Sequence, residues 1–160
     1  PITFTLDKND NLVVFKQEDT LVATRILDGE YPDYTKIIPE KTSTKAEFLT
    51  HEFVEAVKLT DIFAKEADSA LLLKIDPKGF IEIAASSQET GEHKSKFKAE
   101  VESEKEIEIG FNSKYLLDFL NNVKSEKIVI KTDGESSPCI FEPVEMQNYI
   151  HIIMPMQINR

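Results

Sequence analysis

The pattern of apolar and polar positions changes character near the end of the first third of the chain. Up to residue 27, short β-branched or alternating runs predict antiparallel strands. These runs are 2–6, 12–15 and 21–27. The segment Asp-Gly-Glu-Tyr-Pro-Asp-Tyr at 28–34 interrupts them, because glycine frees the backbone φ and proline removes an amide donor. We place a linker at 28–43.

After residue 44 a strand, a helix and three further strands follow one another twice. Apolar residues recur every three to four positions in 51–66 and from 113 to 124, which predicts two amphipathic helices. Thr50 and Asn112 precede them as candidate N-caps. Strands are predicted through Phe48-Leu49 and at 70–75, 80–85, 93–101, 106–111, 127–131, 138–142 and 148–154.

Two successive βαβββ units predict one pseudo-symmetric α+β domain at 44–160, in which both helices cover one face of an antiparallel sheet. The strands at 1–27 are too few to be stable by themselves, so we interpret them as the end of a preceding domain. Residue 1 is proline and not an initiator methionine, and we therefore expect the chain to be cut from something longer.

The net charge of the chain limits the classes of function that it can have. There are 19 basic and 29 acidic residues, which gives a formal net charge of −10. Proteins that bind nucleic acid tightly neutralise phosphates with an excess of lysine and arginine, so tight binding is disfavoured. A protein that surrounds DNA without holding it is compatible with this charge. Glutamates at alternate positions from 100 to 108 would project acid from one side of an extended chain.

The sequence offers no chemistry for catalysis or for a cofactor. Cys139 is the single cysteine, and the three histidines at 51, 93 and 151 are scattered, so we expect neither a metal site nor a redox motif. His51-Glu52 lacks the second histidine that a zinc-binding helix has four positions later. No apolar run could cross a bilayer, and no signal peptide is evident. We expect a cytoplasmic protein that is not an enzyme and has no membrane partner.

Three segments, in the same order and at similar separations, resemble the bacterial DNA sliding clamps, which are the beta subunits of DNA polymerase III. Residues 25–39 resemble the linker that enters the third domain of these proteins, with Asp-Gly, an aromatic residue and Pro-Asp-Tyr. Residues 109–120 resemble the Gly-Phe-Asn entry from a strand into a helix, and 149–156, ending in Met-Pro-Met, resemble the C-terminus. The resemblance covers the whole chain, as the last strands of the second clamp domain and the complete third domain.

The resemblance implies a non-catalytic processivity factor for DNA replication. Two head-to-tail subunits would form a homodimeric ring that encircles duplex DNA without sequence preference, with helices lining the hole. The implied partners are the alpha subunit of DNA polymerase III, the clamp loader and repair proteins. They would bind through short clamp-binding motifs of the Gln-Leu-(Ser/Asp)-Leu-Phe type, in the cytoplasm and associated with the nucleoid.

Site residues follow from the same resemblance. Half of a peptide-binding pocket would be built from Pro32, Tyr34, Lys36, Ile37, Ile152, Ile153, Met154, Pro155 and Met156. The dimer contact would use Ile62 and Phe63, and Lys58, Lys65, Lys114 and Lys124 would face DNA. Two features depart from the family: Thr35-Lys36 replaces a pair of arginines, and the tail continues past the usual end as 157–160.

Other interpretations remain open on the residues alone. Residues 152–156 are typical of a core strand and its exit. Ile62 and Phe63 are typical of the apolar stripe by which a helix packs on the core. The four lysines are typical of a solvated helix face. Asp33 and Tyr34 are also turn-formers. The rival function is a stand-alone acidic α+β protein-interaction module with no DNA role. A small hydrolase that uses scattered Asp and Glu side chains is the third hypothesis.

Overall fold

The chain begins with an antiparallel meander of three strands. The computed structural model describes residues 1–7, 11–31, 33–39, 41–65, 68–87 and 91–158. The strands β1 (Thr3–Asp7), β2 (Leu12–Gln17) and β3 (Thr20–Arg25) pair in the order β1-β2-β3. Every residue of β1 and β3 is exposed, including the large apolar side chains Phe4 and Leu21.

The chain divides into two compact units, 1–33 and 34–160, and the division falls inside the predicted linker. The second unit opens with a 3-10 helix at Tyr34–Lys36. Its further elements, in chain order, are β4 (Thr44–Leu49), α1 (Thr50–Ala64), β5 (Ala70–Asp76), β6 (Phe80–Ser87), β7 (Gly91–Lys98), β8 (Glu100–Glu102), β9 (Ile107–Asn112), α2 (Ser113–Asn122), β10 (Lys127–Thr132), β11 (Cys139–Pro143) and β12 (His151–Ile153).

The strands of this unit form two antiparallel sheets, where the sequence analysis predicted one. Their orders are β12-β11-β10-β4-β8 and β7-β6-β5-β9. The first strand of each βαβββ unit lies in the sheet of the other unit, since β4 pairs with β10 and β9 pairs with β5. This exchange joins the two βαβββ units into one domain. The predicted α+β fold class is confirmed.

Several element boundaries differ from the predictions. Thr50 is the first helical residue and not an N-cap, because Leu49 holds that position without a side-chain bond. Asn112 is confirmed as an N-cap, and its side chain accepts from the Lys114 amide at 3.0 Å. Helix α2 ends at Asn122 rather than at 124. Asn148 has a φ of 61°, which breaks the extended chain, so β12 is shorter than 148–154.

Aromatic rings fill the centre of the second unit. The Phe141 ring lies 6.2 Å from that of Phe53, 5.8 Å from that of Phe111 and 5.3 Å from that of Phe119. These four side chains come from β11, α1, β9 and α2, and all four are buried. The core is therefore shared by both sheets and both helices.

The two helices are in contact with each other. The Ser113 hydroxyl, at the start of α2, donates to the Asp61 carboxylate at 2.5 Å, and both side chains are buried. Helix α1 also packs on strands β4 to β7, whereas α2 packs on β9 and β12. The helices thus lie side by side, as the repeated βαβββ pattern predicted.

We expect Phe141→Ala to lower the free energy of unfolding by about 3–5 kcal/mol, because it removes a ring that contacts three other core rings. Urea denaturation followed by circular dichroism measures the change. Tyr115→Ala is the matched control, since Tyr115 is 60% exposed and its loss should change stability by no more than about 0.5 kcal/mol. Equal losses in the two variants would contradict this placement of the core.

Candidate functional site

Strand β12 is the outer strand of the five-stranded sheet and pairs with β11 alone among the described strands. Ile153 faces inward, is 3% exposed and belongs to the hydrophobic core. Its side chain therefore packs in the core, as the alternative interpretation of 152–156 as a core strand and its exit predicts. Because side chains alternate along a strand, Ile152 and Met154 point to the opposite side.

The chain stays accessible after this strand. Met154 is 57% exposed, and Ile152, Pro155 and Met156 are partly buried. We call these four residues the terminal edge. A flexible thioether beside a rigid proline makes a surface to which different apolar anchors can adapt. The terminal edge thus has the chemistry of a peptide groove.

The linker residues of the predicted pocket lie in a different element. Tyr34 and Lys36 form the 3-10 helix, Ile37 follows it, and the Ile37 amide donates to the Tyr34 carbonyl at 3.0 Å. Tyr34, Lys36 and Ile37 are exposed. The main contacts of β12 are with β11 and α2. The residues of the terminal edge therefore lie together on one surface, whereas the linker residues form a separate turn. Pro32 lies outside the described residues.

Helix α2 supports the terminal edge from within. The Phe119 ring stacks on His151 with centroids 4.8 Å apart and on Tyr149 with centroids 6.4 Å apart. Burial lowers the pKa of His151, and the nearby Asp118 carboxylate opposes this shift. The neutral imidazole is thus the form that the stack favours.

A second apolar surface was not predicted from the sequence. Val144, which is 50% exposed, and Ile150 line a groove of about 570 Å³ with Met146 and Tyr149. Its floor is the outward side of β10 and β11, including Lys131 and Glu142. The available signal was the apolar pair Val144 and Met146, alternating with Glu145 at the end of a strand.

The predicted dimer residues lie beside an open sheet edge. Ile62 is 57% exposed, and Phe63 is partly buried because its ring stacks on His93 with centroids 5.1 Å apart. His93 is in β7, the outer strand of the four-stranded sheet. An exposed apolar residue next to an outer strand is typical of an interface.

The lysines of the helices and those of the sheets have different surroundings. Lys58, Lys65, Lys114 and Lys124 are all exposed, and the Lys65 amine lies 3.8 Å from the Asp61 carboxylate. On the sheets, lysines form close pairs with glutamates. These pairs are Lys45–Glu102, Lys74–Glu106, Lys127–Glu47 and Lys131–Glu142, at 2.6 to 2.8 Å. Exposed pairs of this kind contribute about 0–1 kcal/mol each, so they shape the surface potential more than the stability.

The described residues contain no group of three or more His, Cys, Asp or Glu side chains that could hold a metal ion. Cys139 is buried, and burial raises the pKa of its thiol to about 12. The thiol is therefore protonated and unreactive at neutral pH. Among the helices of the described residues, none combines the length and the apolar character needed to span a bilayer.

The two interlocked βαβββ units, with both helices in contact, define the class of α+β clamp domains. A family model described as "DNA polymerase III beta subunit, C-terminal domain" matches residues 35–157. The chain belongs to the DNA polymerase III beta subunit family and contains its C-terminal domain.

Individual relatives agree with this membership. The beta sliding clamp of Bacillus subtilis is 30% identical over 146 residues, which are 91% of this chain and 39% of that protein. The beta sliding clamp of Staphylococcus aureus is 26% identical over 147 residues, 92% of this chain and 39% of that protein. The chain thus spans about 39% of the length of these curated relatives.

Solved structures show the same fold. The DNA polymerase III beta subunit of Thermotoga maritima aligns with a TM-score of 0.80 and 26% identity, over 99% of this chain and 42% of that one. The sliding clamp of Bacillus subtilis aligns with a TM-score of 0.80 and 28% identity, over 99% and 41%. The resemblance found in the sequence is confirmed.

We expect the free energy of unfolding to fall as the pH is lowered from about 7.5 to about 5, in part through His151. Its folded pKa lies below the ordinary value of 6.5, so the unfolded chain binds the proton first. The contribution is therefore fully present above that ordinary value and is lost as the pH falls from it through the lower folded pKa. His151→Phe keeps a ring against Phe119 and should reduce this loss.

Chemical denaturation of both proteins at several pH values measures the difference, with the more alkaline pH as the reference. If wild type and variant lose stability in parallel, His151 is not the titrating group.

Proposed function

We propose that this chain is a segment of a DNA polymerase processivity factor, a ring-shaped sliding clamp that encircles duplex DNA and docks clamp-binding peptides. The observation that carries the proposal is the exposed Met154 beside the partly buried Pro155, at the end of a domain that belongs to the beta subunit family. The role is non-catalytic: it is topological retention on DNA together with peptide docking. It would be carried out in the cytoplasm, on nucleoid DNA.

The charge of the chain supports encirclement rather than tight binding. With a net charge of −10, the chain cannot neutralise many phosphates, and a closed ring does not need to do so. We propose that α1 and α2 face the DNA through Lys58, Lys65, Lys114 and Lys124. The support is that Lys58 and Lys114 are exposed on two helices that lie side by side, and that Lys65 and Lys124 are exposed just beyond the ends of these helices.

We propose that residues 1–27 are the last strands of the second clamp domain, that 28–43 are the linker and that 44–160 are the third domain. The exposed side chains of β1 and β3 support this division, because a sheet with so little buried surface needs further chain to cover it. In the complete homodimer, Ile62, Phe63 and the open edge of β7 would contact the other subunit.

We propose that the terminal edge receives short motifs from the polymerase alpha subunit, the clamp loader and repair proteins. Pro32, Tyr34, Lys36 and Ile37 would complete this side of the pocket, and the opposite wall would come from the rest of the second domain. Ile153 belongs to the proposed pocket as well, with a side chain that packs in the core of this chain. A stand-alone interaction module with no DNA role is disfavoured by the family match over 35–157.

Met154→Ala should weaken the binding of a labelled Gln-Leu-Ser-Leu-Phe peptide by about 1–2 kcal/mol, because an exposed apolar anchor is lost. Fluorescence anisotropy titration of the 160-residue chain measures the affinity for the peptide. We expect this affinity to be weak, because the chain supplies only half of the groove. Val144→Ala is the matched control, since Val144 is also an exposed apolar residue but lies outside the terminal edge. Titrations that do not distinguish the two variants would count against the site.

Ile62→Glu in the product of the complete gene should shift the dimer towards monomer, because a carboxylate would be buried without a partner at the subunit contact. Sedimentation equilibrium measures the change, for which we expect at least about tenfold in the dissociation constant. Val144→Glu adds the same charge at another exposed apolar position and should leave the dimer intact. An unchanged dimer in both variants would remove Ile62 from the interface.

A further inference from the structure

The terminal edge is fixed at both of its ends. On one side, Ile153 pairs with Cys139 in the five-stranded sheet. On the other side, the Met156 amide donates to the Gly110 carbonyl of β9 at 2.9 Å, at the outer edge of the four-stranded sheet. Only Met154 and Pro155 lie between these anchors. The tail therefore bridges the two sheets through two exposed or half-buried residues.

Gly110 is buried although it lies on the outward side of its strand. Its neighbours Ile109 and Phe111 point into the core and are fully buried, so alternation turns position 110 outward. The cover over Gly110 is the tail itself. A Cβ at this position would overlap the Met156 carbonyl oxygen and would lie 2.8 Å from the Ile158 side chain.

The reason for a glycine at this position is space and not backbone freedom. Residue 110 lies within β9, paired opposite Leu72 in regular antiparallel register. Any residue can adopt such an extended backbone, whereas only a residue without a side chain lets the tail lie flat on the strand. Gly110 belongs to the Gly-Phe-Asn segment of the sequence, in which Asn112 already has a role as helix cap.

We propose that Gly110 is a positioning residue of the peptide-binding edge, and that residues 156–158 act as a strap that holds Met154 and Pro155 in the orientation that binds. This inference rests on the proposed function. Holding the two residues in place before binding removes part of the ordering cost that a loose tail would incur on binding. Gly110 contacts no peptide itself and acts through the strap.

Gly110→Ala tests the inference in the 160-residue chain. The new methyl group should displace the strap, so the Met156 amide should exchange with solvent deuterium much faster, while core amides such as that of Ile109 stay protected. Affinity for the labelled Gln-Leu-Ser-Leu-Phe peptide should fall by about tenfold. The control is Gly134→Ala, because a Cβ there meets only the Ser137 hydroxyl at an ordinary 3.6 Å.

A second variant, Ile158→Ala, leaves β9 unaltered and keeps the test valid if Gly110→Ala does not fold. It should speed the exchange of the Met156 amide and lower the affinity for the peptide, each by a smaller factor than Gly110→Ala does. Faster Met156 exchange with unchanged peptide affinity would overturn the positioning role and leave the proposed function standing. Unchanged exchange in both variants would overturn the strap. If the wild type binds no peptide while Met156 is protected, the proposed function fails, and this inference fails with it.

Discussion

The structure depends on the exchange of first strands between the two βαβββ units. β4 hydrogen-bonds to β10 and β9 to β5, so each unit completes the sheet of the other. The rings around Phe141 then close the core between the sheets, with one ring from each helix. The two βαβββ units share one hydrophobic core, because the aromatic residues that meet at its centre come from both.

This exchange decides where sheet edges are left open. The outer strands are β12 and β8 in the five-stranded sheet and β7 and β9 in the four-stranded sheet. Exposed apolar residues lie beside two of them, Met154 beside β12 and Ile62 beside β7. Open edges are surfaces on which another chain can pair or pack. The edge at β9 is different, because Met156 covers it by a hydrogen bond to Gly110. The tail thus covers part of the β9 edge.

The lysines of the second unit have different surroundings on its sheets and near its helices. Sheet lysines such as Lys127 and Lys131 lie within 2.6 Å of glutamates, which keeps their positive charge locally balanced. Lys58 and Lys114 are exposed on α1 and α2, and Lys65 and Lys124 are exposed just beyond the ends of these helices. Lysines of the sheets such as Lys96 and Lys98 are exposed as well, so accessible positive charge is spread over the domain, while the chain as a whole carries a net charge of −10.

The sequence by itself determined the order and type of almost every element, the Asn112 cap and the family. Periodicities of 2 and 3.6 report which side of an element faces the core, and cap chemistry depends on neighbouring residues. Tertiary structure decided the rest: the division into two sheets, the inward turn of Ile153 and the fit of Gly110 under the tail. These features depend on pairing between residues far apart in the chain, such as Gly110 and Met156, and a local pattern shows that a strand is buried without showing what buries it.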